Sequence, residues 1–128
     1  MGLPGSGKTT LAVELMKLLA PDAVHLNADA IRKVNNDWDF SEQGRVRQAK
    51  RMRTLADGII RKYAIADFVA PLPEMRRIYA PDYTVWVDTI SAGRFADTNQ
   101  VFNAPTDYNI RVTTQNAQHW AKLIAHEL

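Results

Sequence analysis

The residues with the clearest chemical meaning lie at the start of the chain. Residues 2–9 read GLPGSGKT and fit the pattern G-x-x-x-x-G-K-[ST] of a phosphate-binding loop, and a helical pattern follows at once. Glycines let successive backbone N–H groups turn toward an anion, and the helix adds the positive end of its dipole. A glycine turn that merely caps a helix is the alternative, which the Lys-Thr pair disfavours. The expected phosphate-binding residues are Gly2, Gly5, Ser6, Gly7, Lys8, Thr9 and Thr10.

Side chains of this loop predict nucleoside-triphosphate chemistry. We expect Lys8 to reach the β- and γ-phosphates and the Thr9 hydroxyl to ligate Mg²⁺. Asp67 ends the apolar run YAIAD, and a carboxylate at such a position can hold Mg²⁺ through water. A helix or turn cap is an equally open interpretation of Asp67. The three histidines lack the spacing of a metal site.

Short apolar runs predict the strands that position these groups. Residues 23–27 (AVHLN), 63–69 (YAIADFV) and 83–88 (YTVWVD) fit strands, and residues 110–113 fit a last short one. The runs at 63–69 and 83–88 are nearly continuous, as in buried parallel strands.

Between the predicted strands, apolar residues recur at the spacing of a helix. Ser41 is expected to cap a long helix and Thr114 a terminal one. The predicted inner faces are Leu11, Leu15, Leu18 and Leu19 for the first helix; Ala49, Met52, Leu55, Ala56, Ile59 and Ile60 for the long one; and Ala117, Trp120, Ala121, Ile124 and Leu128 for the last.

Alternation of strands and helices predicts an α/β fold of the P-loop NTPase kind, a three-layer sandwich with a parallel sheet flanked by helices. A phosphate loop normally follows a buried strand, but only Met1 precedes Gly2 here. We therefore expect the first strand to be missing, through truncation rather than through a sheet built without it. Its loss would leave unpaired backbone edges inside the sheet.

Composition narrows the class of protein. The chain has 128 residues, 46% of them hydrophobic and 23% charged, as expected for a single globular domain over residues 1–128. It has no cysteine, which excludes disulfides and thiolate sites and fits the cytoplasm. No signal peptide or membrane-spanning run is apparent. Residues 45–62 are strongly basic, which suits either a polyanionic ligand or a solvated face.

Several motifs taken together resemble the adenylylsulfate kinase family. Residues 26–32 (LNADAIR) are similar to the family's L-D-G-D-N-[VI]-R, and residues 34–51 are similar to its L-N-x-D-L-G-F-S segment and basic helix. Residues 68–71 (FVAP) resemble its F-I-S-P turn, and residues 85–89 (VWVDT) its V-F-V-D-T strand. The resemblance implies a kinase that phosphorylates the 3′-hydroxyl of adenosine 5′-phosphosulfate with MgATP. It also suggests a homodimer, and it implies neither a membrane nor a nucleic acid as partner.

The resemblance implies roles for particular residues. Asp29 would orient or deprotonate the acceptor hydroxyl, with Lys8 as its catalytic partner at the phosphates. Arg32 and Arg45 would hold the phosphosulfate, a task suited to the guanidinium fork. Capping of a turn by Asp29 and salt bridging by the arginines are the plainer alternatives. The remaining expected substrate-binding residues are Phe40, which would stack on adenine or simply pack, Gln48, which replaces an asparagine, and Phe102, a second adenine clamp.

Departures from the family pattern leave alternatives open. Asn27, Ala28 and Ala30 replace the first aspartate, the glycine and the asparagine of D-G-D-N, and Asp67 is expected to compensate for the lost carboxylate. A shorter segment at 93–108 replaces the usual lid, and Arg94 is its candidate ATP ligand. Kinases for another acceptor, such as a sugar acid, a nucleoside or a polynucleotide 5′-end, stay open, as does a nucleotide-binding module without turnover.

Overall fold

A computed structural model describes residues 1–92 and 101–128. Helices and strands are interspersed along these residues. The helices are α1 (Lys8–Leu19), α2 (Ala28–Asn35), α3 (Glu42–Asp57), α4 (Pro73–Tyr79) and α5 (Ala117–Glu127). The strands are β1 (Ala23–Asn27), β2 (Tyr63–Asp67), β3 (Val85–Val87) and β4 (Ile110–Val112).

Within the described residues the strands form two parallel pairs. β1 pairs with β2 so that Asn27 lies opposite Asp67 at their carboxyl ends. β3 pairs with β4, with Val87 opposite Val112. The two pairs are separate sheets. The predicted parallel α/β arrangement is confirmed, and the carboxyl ends of β1 and β2 place two polar side chains side by side.

Helices cover both faces of the strands. Because side chains alternate along a strand, Ile65 and Ala66 of β2 face opposite layers. Ile65 packs with α1 and α5 around a core of Leu11, Leu15, Val87, Val112, Ala121 and Ile124. Ala66 packs with α2, α3 and α4 around Ala28, Met52 and Tyr79. These contacts produce the expected three layers.

The long helix α3 differs from its predicted inner face. Ser41 caps it as expected, because its hydroxyl accepts a hydrogen bond from Gly44 N–H at 3.1 Å. The helix ends at Asp57, before Gly58, so Ile59 and Ile60 lie outside it, and Ile60 is 98% exposed. Leu55 is also exposed. Two polar residues, Arg45 and Gln48, occupy the buried face instead, which points to a site beneath the helix.

Element boundaries elsewhere shift by a few residues. Asn116, not Thr114, caps α5, and the Thr114 hydroxyl accepts from the Trp120 indole at 2.9 Å. Leu18 and Leu128 are exposed rather than buried. In the described ranges, no helix has the length and apolar character needed to cross a membrane.

Candidate functional site

The phosphate loop has the backbone that its sequence predicts. Gly5 and Gly7 have φ angles of 86° and 99°, in the left-handed region that other residues avoid. Gly7 is the N-cap of α1, so the free N–H groups of the first helical turn open toward the loop. The Lys8 ammonium donates to the Leu3 carbonyl at 3.0 Å. The loop is thus a preformed concave surface with a cation at its edge.

Residues behind the loop hold it in place. The Thr89 hydroxyl, just after β3, donates to the Ser6 carbonyl at 2.6 Å. Ser6 itself is buried, and its hydroxyl has no hydrogen-bond partner among the described residues. A side chain at Gly2 would overlap the Val87 carbonyl. Gly2 and Ser6 were predicted as phosphate ligands. They are the buried part of the loop and do not line the cleft beside it.

Asp67 lies at the centre of a polar network beside the loop. Its Oδ2 accepts from the Thr9 hydroxyl at 2.7 Å and from the Asn27 amide at 3.0 Å, and it lies 3.2 Å from His25 Nε2. Burial favours the neutral carboxyl, but hydrogen bonds from His25, Thr9 and Asn27 and the charge of Lys8 outweigh it and hold the pKa of Asp67 below its usual range. The carboxylate is ionised at neutral pH.

This network fits a magnesium ion. Mg²⁺ prefers oxygen ligands and commonly takes one or two from the protein, with phosphates and water for the rest. The Thr9 hydroxyl and the Asp67 carboxylate supply two adjacent oxygens. No group of three His, Cys, Asp or Glu side chains suited to a metal occurs in residues 1–92 and 101–128. The two oxygens suit a cation whose remaining ligands come from phosphate and water.

Asn27 connects the network to the next helix. Its Oδ1 accepts from the Ala30 N–H at 2.9 Å and caps α2, while its amide donates to Asp67. Asp29 consequently lies in the first turn of α2, where it is exposed and lines a cleft beside the loop. Sequence reasoning missed α2, although an Asn cap followed by helix-forming residues was a usable signal.

Arg32, Arg45 and Phe40 meet on the far side of the cleft. The Phe40 ring is half exposed, with the Arg32 guanidinium carbon 4.5 Å and that of Arg45 5.5 Å from its centroid. Both arginines are buried. Arg32 donates to the carbonyls of Asp37 and Asp39, and Arg45 donates to that of Phe40. The arginines therefore shape the loop at residues 36–41 as well as facing the cleft.

Two further arginines of α3 anchor the same loop. Arg47 binds both carboxylate oxygens of Asp37, at 2.8 and 3.0 Å, and Arg51 binds one at 2.9 Å. These hydrogen bonds hold the pKa of Asp37 well below its usual range. Gln48 donates to the Ala28 carbonyl at 3.1 Å and accepts from Arg51. The basic run of α3 is thus partly structural, which its charge pattern alone did not show.

One cleft of about 540 Å³ joins the two sets of residues. Its phosphate end is formed by Gly5, Gly7, Lys8, Thr9, Thr10 and Asp67, and its acceptor end by Asp29, Arg32, Phe40, Arg45 and Gln48. Phe102 lies outside the lining, against Arg76 at 5.5 Å. Arg94 falls outside the described residues.

Met75 also lines the cleft, and it lies on α4, the helix that Pro73 begins. Sequence reasoning missed this helix, although proline is common at a first helical turn.

The site combines a glycine-rich loop at the start of a helix, a lysine and a hydroxyl at the end of that loop, and a carboxylate on a neighbouring parallel strand. This combination defines the P-loop class of nucleoside-triphosphate-binding proteins. Residues 1–84 match the family model of adenylylsulphate kinase. The match covers more than half of the chain, and the chain belongs to the adenylylsulphate kinase family.

Individual relatives agree with this assignment. The chain is 35% identical over 86 residues to the bifunctional enzyme NodQ of Rhizobium meliloti (strain 1021), an alignment that covers 60% of this chain and 13% of NodQ. The chain therefore spans a small part of that relative.

Solved structures share the fold. The Mycobacterium tuberculosis APS kinase CysC, in complex with AMPPNP and APS, superposes with a TM-score of 0.81 at 20% identity, over 98% of this chain and 92% of that one. The crystal structure of APE1195 gives a TM-score of 0.80 at 21% identity, over 99% of this chain and 90% of that one. These likenesses confirm the predicted P-loop fold.

Proposed function

We propose that residues 1–128 form one P-loop kinase domain that transfers the γ-phosphoryl group of MgATP to the 3′-hydroxyl of adenosine 5′-phosphosulfate. The bond between the γ-phosphorus and the oxygen of ADP breaks, and a bond to the acceptor oxygen forms. The hydroxyl proton passes to the Asp29 carboxylate. Family membership supports this reaction, and so does the arrangement of residues in the cleft.

At the phosphate end, the protein supplies charge and position. The loop N–H groups and the Lys8 ammonium would neutralise the β- and γ-phosphates, since phosphoryl transfer depends mainly on positioning and electrostatic stabilisation. Thr9 and Asp67 would hold Mg²⁺, which neutralises phosphate charge when bound. Asp67 thereby takes the place of the carboxylate that Asn27 lacks, and the 3.0 Å hydrogen bond between the two residues supports this exchange.

At the acceptor end, the residues match the parts of a phosphosulfate nucleotide. Arg32 and Arg45 present buried guanidinium groups that suit an anionic group. Phe40 presents an exposed ring that suits adenine. Asp29 lines the same cleft from the first turn of α2, where it can accept the proton of a hydroxyl.

The observation that carries the proposal is the single cleft that contains both ends. A kinase must hold donor and acceptor in contact, because in-line transfer needs the attacking oxygen next to the phosphorus. A nucleotide-binding module would need only the phosphate end. The cytoplasmic setting, the homodimer and the magnesium requirement belong to the same proposal.

A panel of acceptors tests the reaction. ADP release is measured with MgATP and, in turn, adenosine 5′-phosphosulfate, a sugar acid, a nucleoside and a polynucleotide 5′-end. We expect release with adenosine 5′-phosphosulfate and little with the others. Preference for another acceptor would leave only the broader kinase assignment, and ATP binding with no ADP release on any acceptor would indicate a module without turnover.

A further inference from the structure

His25 is a partly buried titratable residue that the proposed reaction does not use. It lies in β1, two residues before Asn27, so both side chains point to the same face of the strand. Its partner across the sheet is Ile65, and Asp67 follows Ile65 by two residues on the same face of β2. Ile65 packs against the apolar core that α1 and α5 form. A histidine on this face is therefore a departure from apolar packing, and it lies next to the carboxylate of the proposed metal site.

The ring of His25 contacts Asp67 and does not line the proposed active-site cleft. Its Nε2 lies 3.2 Å from Asp67 Oδ2, and the two side chains are 18% and 4% exposed. Because the Asp67 carboxylate is ionised, it has no proton to donate, so Nε2 carries the hydrogen of this bond. The position of His25 therefore allows it to act on the cleft through Asp67.

Three donors converge on one oxygen of Asp67. Besides His25, the Thr9 hydroxyl and the Asn27 amide donate to Oδ2, at 2.7 and 3.0 Å. None of these three bonds uses Oδ1. Thr9 belongs to α1 and the other two donors belong to β1, so the carboxylate cannot turn about its Cβ–Cγ bond without losing hydrogen bonds. The three bonds therefore fix the direction of both carboxylate oxygens.

The other two donors have further partners. Asn27 Oδ1 accepts from the Ala30 N–H at 2.9 Å, and the Asn27 amide also donates to the Thr9 oxygen at 3.3 Å. The Thr9 oxygen is in turn a proposed ligand of Mg²⁺. Among the described residues, the His25 ring has one hydrogen-bond partner, Asp67. The His25 side chain therefore serves the carboxylate itself.

We propose that His25 is a positioning residue of the magnesium site. By donating from Nε2 to Asp67 Oδ2, it holds the carboxylate in the orientation that binds the cation, and it touches neither the metal nor a substrate. Hydrogen-bonding partners of metal ligands commonly account for a change of roughly tenfold to a hundredfold in metal affinity. This inference rests on the magnesium site of the proposed function, and it adds a residue that the phosphate-loop pattern does not contain.

The test measures the affinity for Mn²⁺ in the presence of ADP by calorimetry. His25→Leu removes the donor, and we expect about tenfold weaker Mn²⁺ binding, at the low end of such effects because two donors remain. His25→Gln is the rescue variant, since its amide nitrogen can take the place of Nε2, and its affinity should stay near that of the parent. His25→Asn, whose amide is one carbon shorter, is a second loss variant should His25→Leu not fold. His126→Leu, at an exposed position near the end of α5, is the control.

A double-mutant cycle with Asp67→Asn distinguishes positioning from general structural support. If His25 acts through the Asp67 carboxylate, His25→Leu should weaken Mn²⁺ binding in the parent but not in Asp67→Asn. Binding of ADP without metal should be the same in all these variants. Melting curves check that each variant is folded.

Two results would overturn the role of His25 while leaving the metal site in place. One is an equal loss of Mn²⁺ affinity from His25→Leu in both backgrounds, and the other is no loss in the parent although Asp67→Asn binds Mn²⁺ more weakly. Full affinity in Asp67→Asn would instead overturn the metal site, and this inference with it. Because no acceptor is present, the result does not depend on which hydroxyl receives the phosphoryl group.

Discussion

The two ends of the proposed active-site cleft are built in different ways. At the phosphate end, all the lining residues except Asp67 come from the single stretch of residues 5–10. At the acceptor end, the groups come from α2, from the loop at residues 36–41 and from α3. The phosphate end is therefore fixed by local backbone geometry, whereas the acceptor end depends on packing between separate elements. Mutations should affect the phosphate end through charge and the acceptor end through charge and loop shape together.

The largest expected effect is at Lys8. Lys8→Ala removes the cation at the loop edge, and we expect a loss of about a hundredfold to a thousandfold in kcat, as for other lost transition-state donors. The fold should persist because Lys8 is not in the core. Lys17→Ala is the matched control, since Lys17 lies on the same helix and pairs with Glu14 at the surface. Unchanged ADP production by Lys8→Ala would contradict the role of the phosphate end.

A variant of Asp67 tests whether this residue of β2 supplies the metal-binding carboxylate that Asn27 lacks. Asp67→Asn keeps the shape but removes the charge, and we expect about a hundredfold lower kcat/KM, as for a lost charge-assisted hydrogen bond of about 3 kcal/mol. Binding of Mn²⁺ with ADP, measured by calorimetry, should weaken in parallel. Asp22→Asn, at an exposed position before β1, is the control. Full metal affinity in Asp67→Asn would remove Asp67 from the metal site.

Variants of Arg32 and Arg45 distinguish a role in acceptor binding from a role in shaping the loop. Arg32→Lys and Arg45→Lys keep the charge but lose the planar fork, so kcat/KM toward adenosine 5′-phosphosulfate should fall about tenfold or more while the KM for ATP stays nearly constant. Arg47→Lys is the control, because Arg47 anchors the same loop through Asp37 without lining the cleft. Equal losses in all three variants would mean that the arginines act only by holding the loop.

Phe40 is expected to give the smallest effect. Phe40→Leu removes a stacking surface worth about 0.5–1.5 kcal/mol, so the KM for the acceptor should rise about two- to tenfold. Trp38→Leu, on the same loop and equally exposed, should leave this KM unchanged. An equal rise in both variants would indicate a general loss of aromatic surface rather than stacking by Phe40.

Sequence reasoning succeeded where the determinants were local. The phosphate loop, the Ser41 cap and the strand at 23–27 follow from short patterns, because turn chemistry and capping act within a few residues. The extent of α3 was predicted wrongly, since the helical spacing of apolar residues continues beyond Gly58 while the helix does not. The partners of Asp67 and of Arg47 lie far away in sequence, so no local pattern could specify them.

The proposed reaction requires that one cleft bring ATP and adenosine 5′-phosphosulfate into contact. The most direct measurement incubates the chain with Mg²⁺, ATP labelled in its γ-phosphate and adenosine 5′-phosphosulfate, and then locates the label. We expect label on the 3′-oxygen of the acceptor, in equal amount to the ADP formed, and none with Lys8→Ala. Label found only in inorganic phosphate or only in ATP would rule out the proposed transfer.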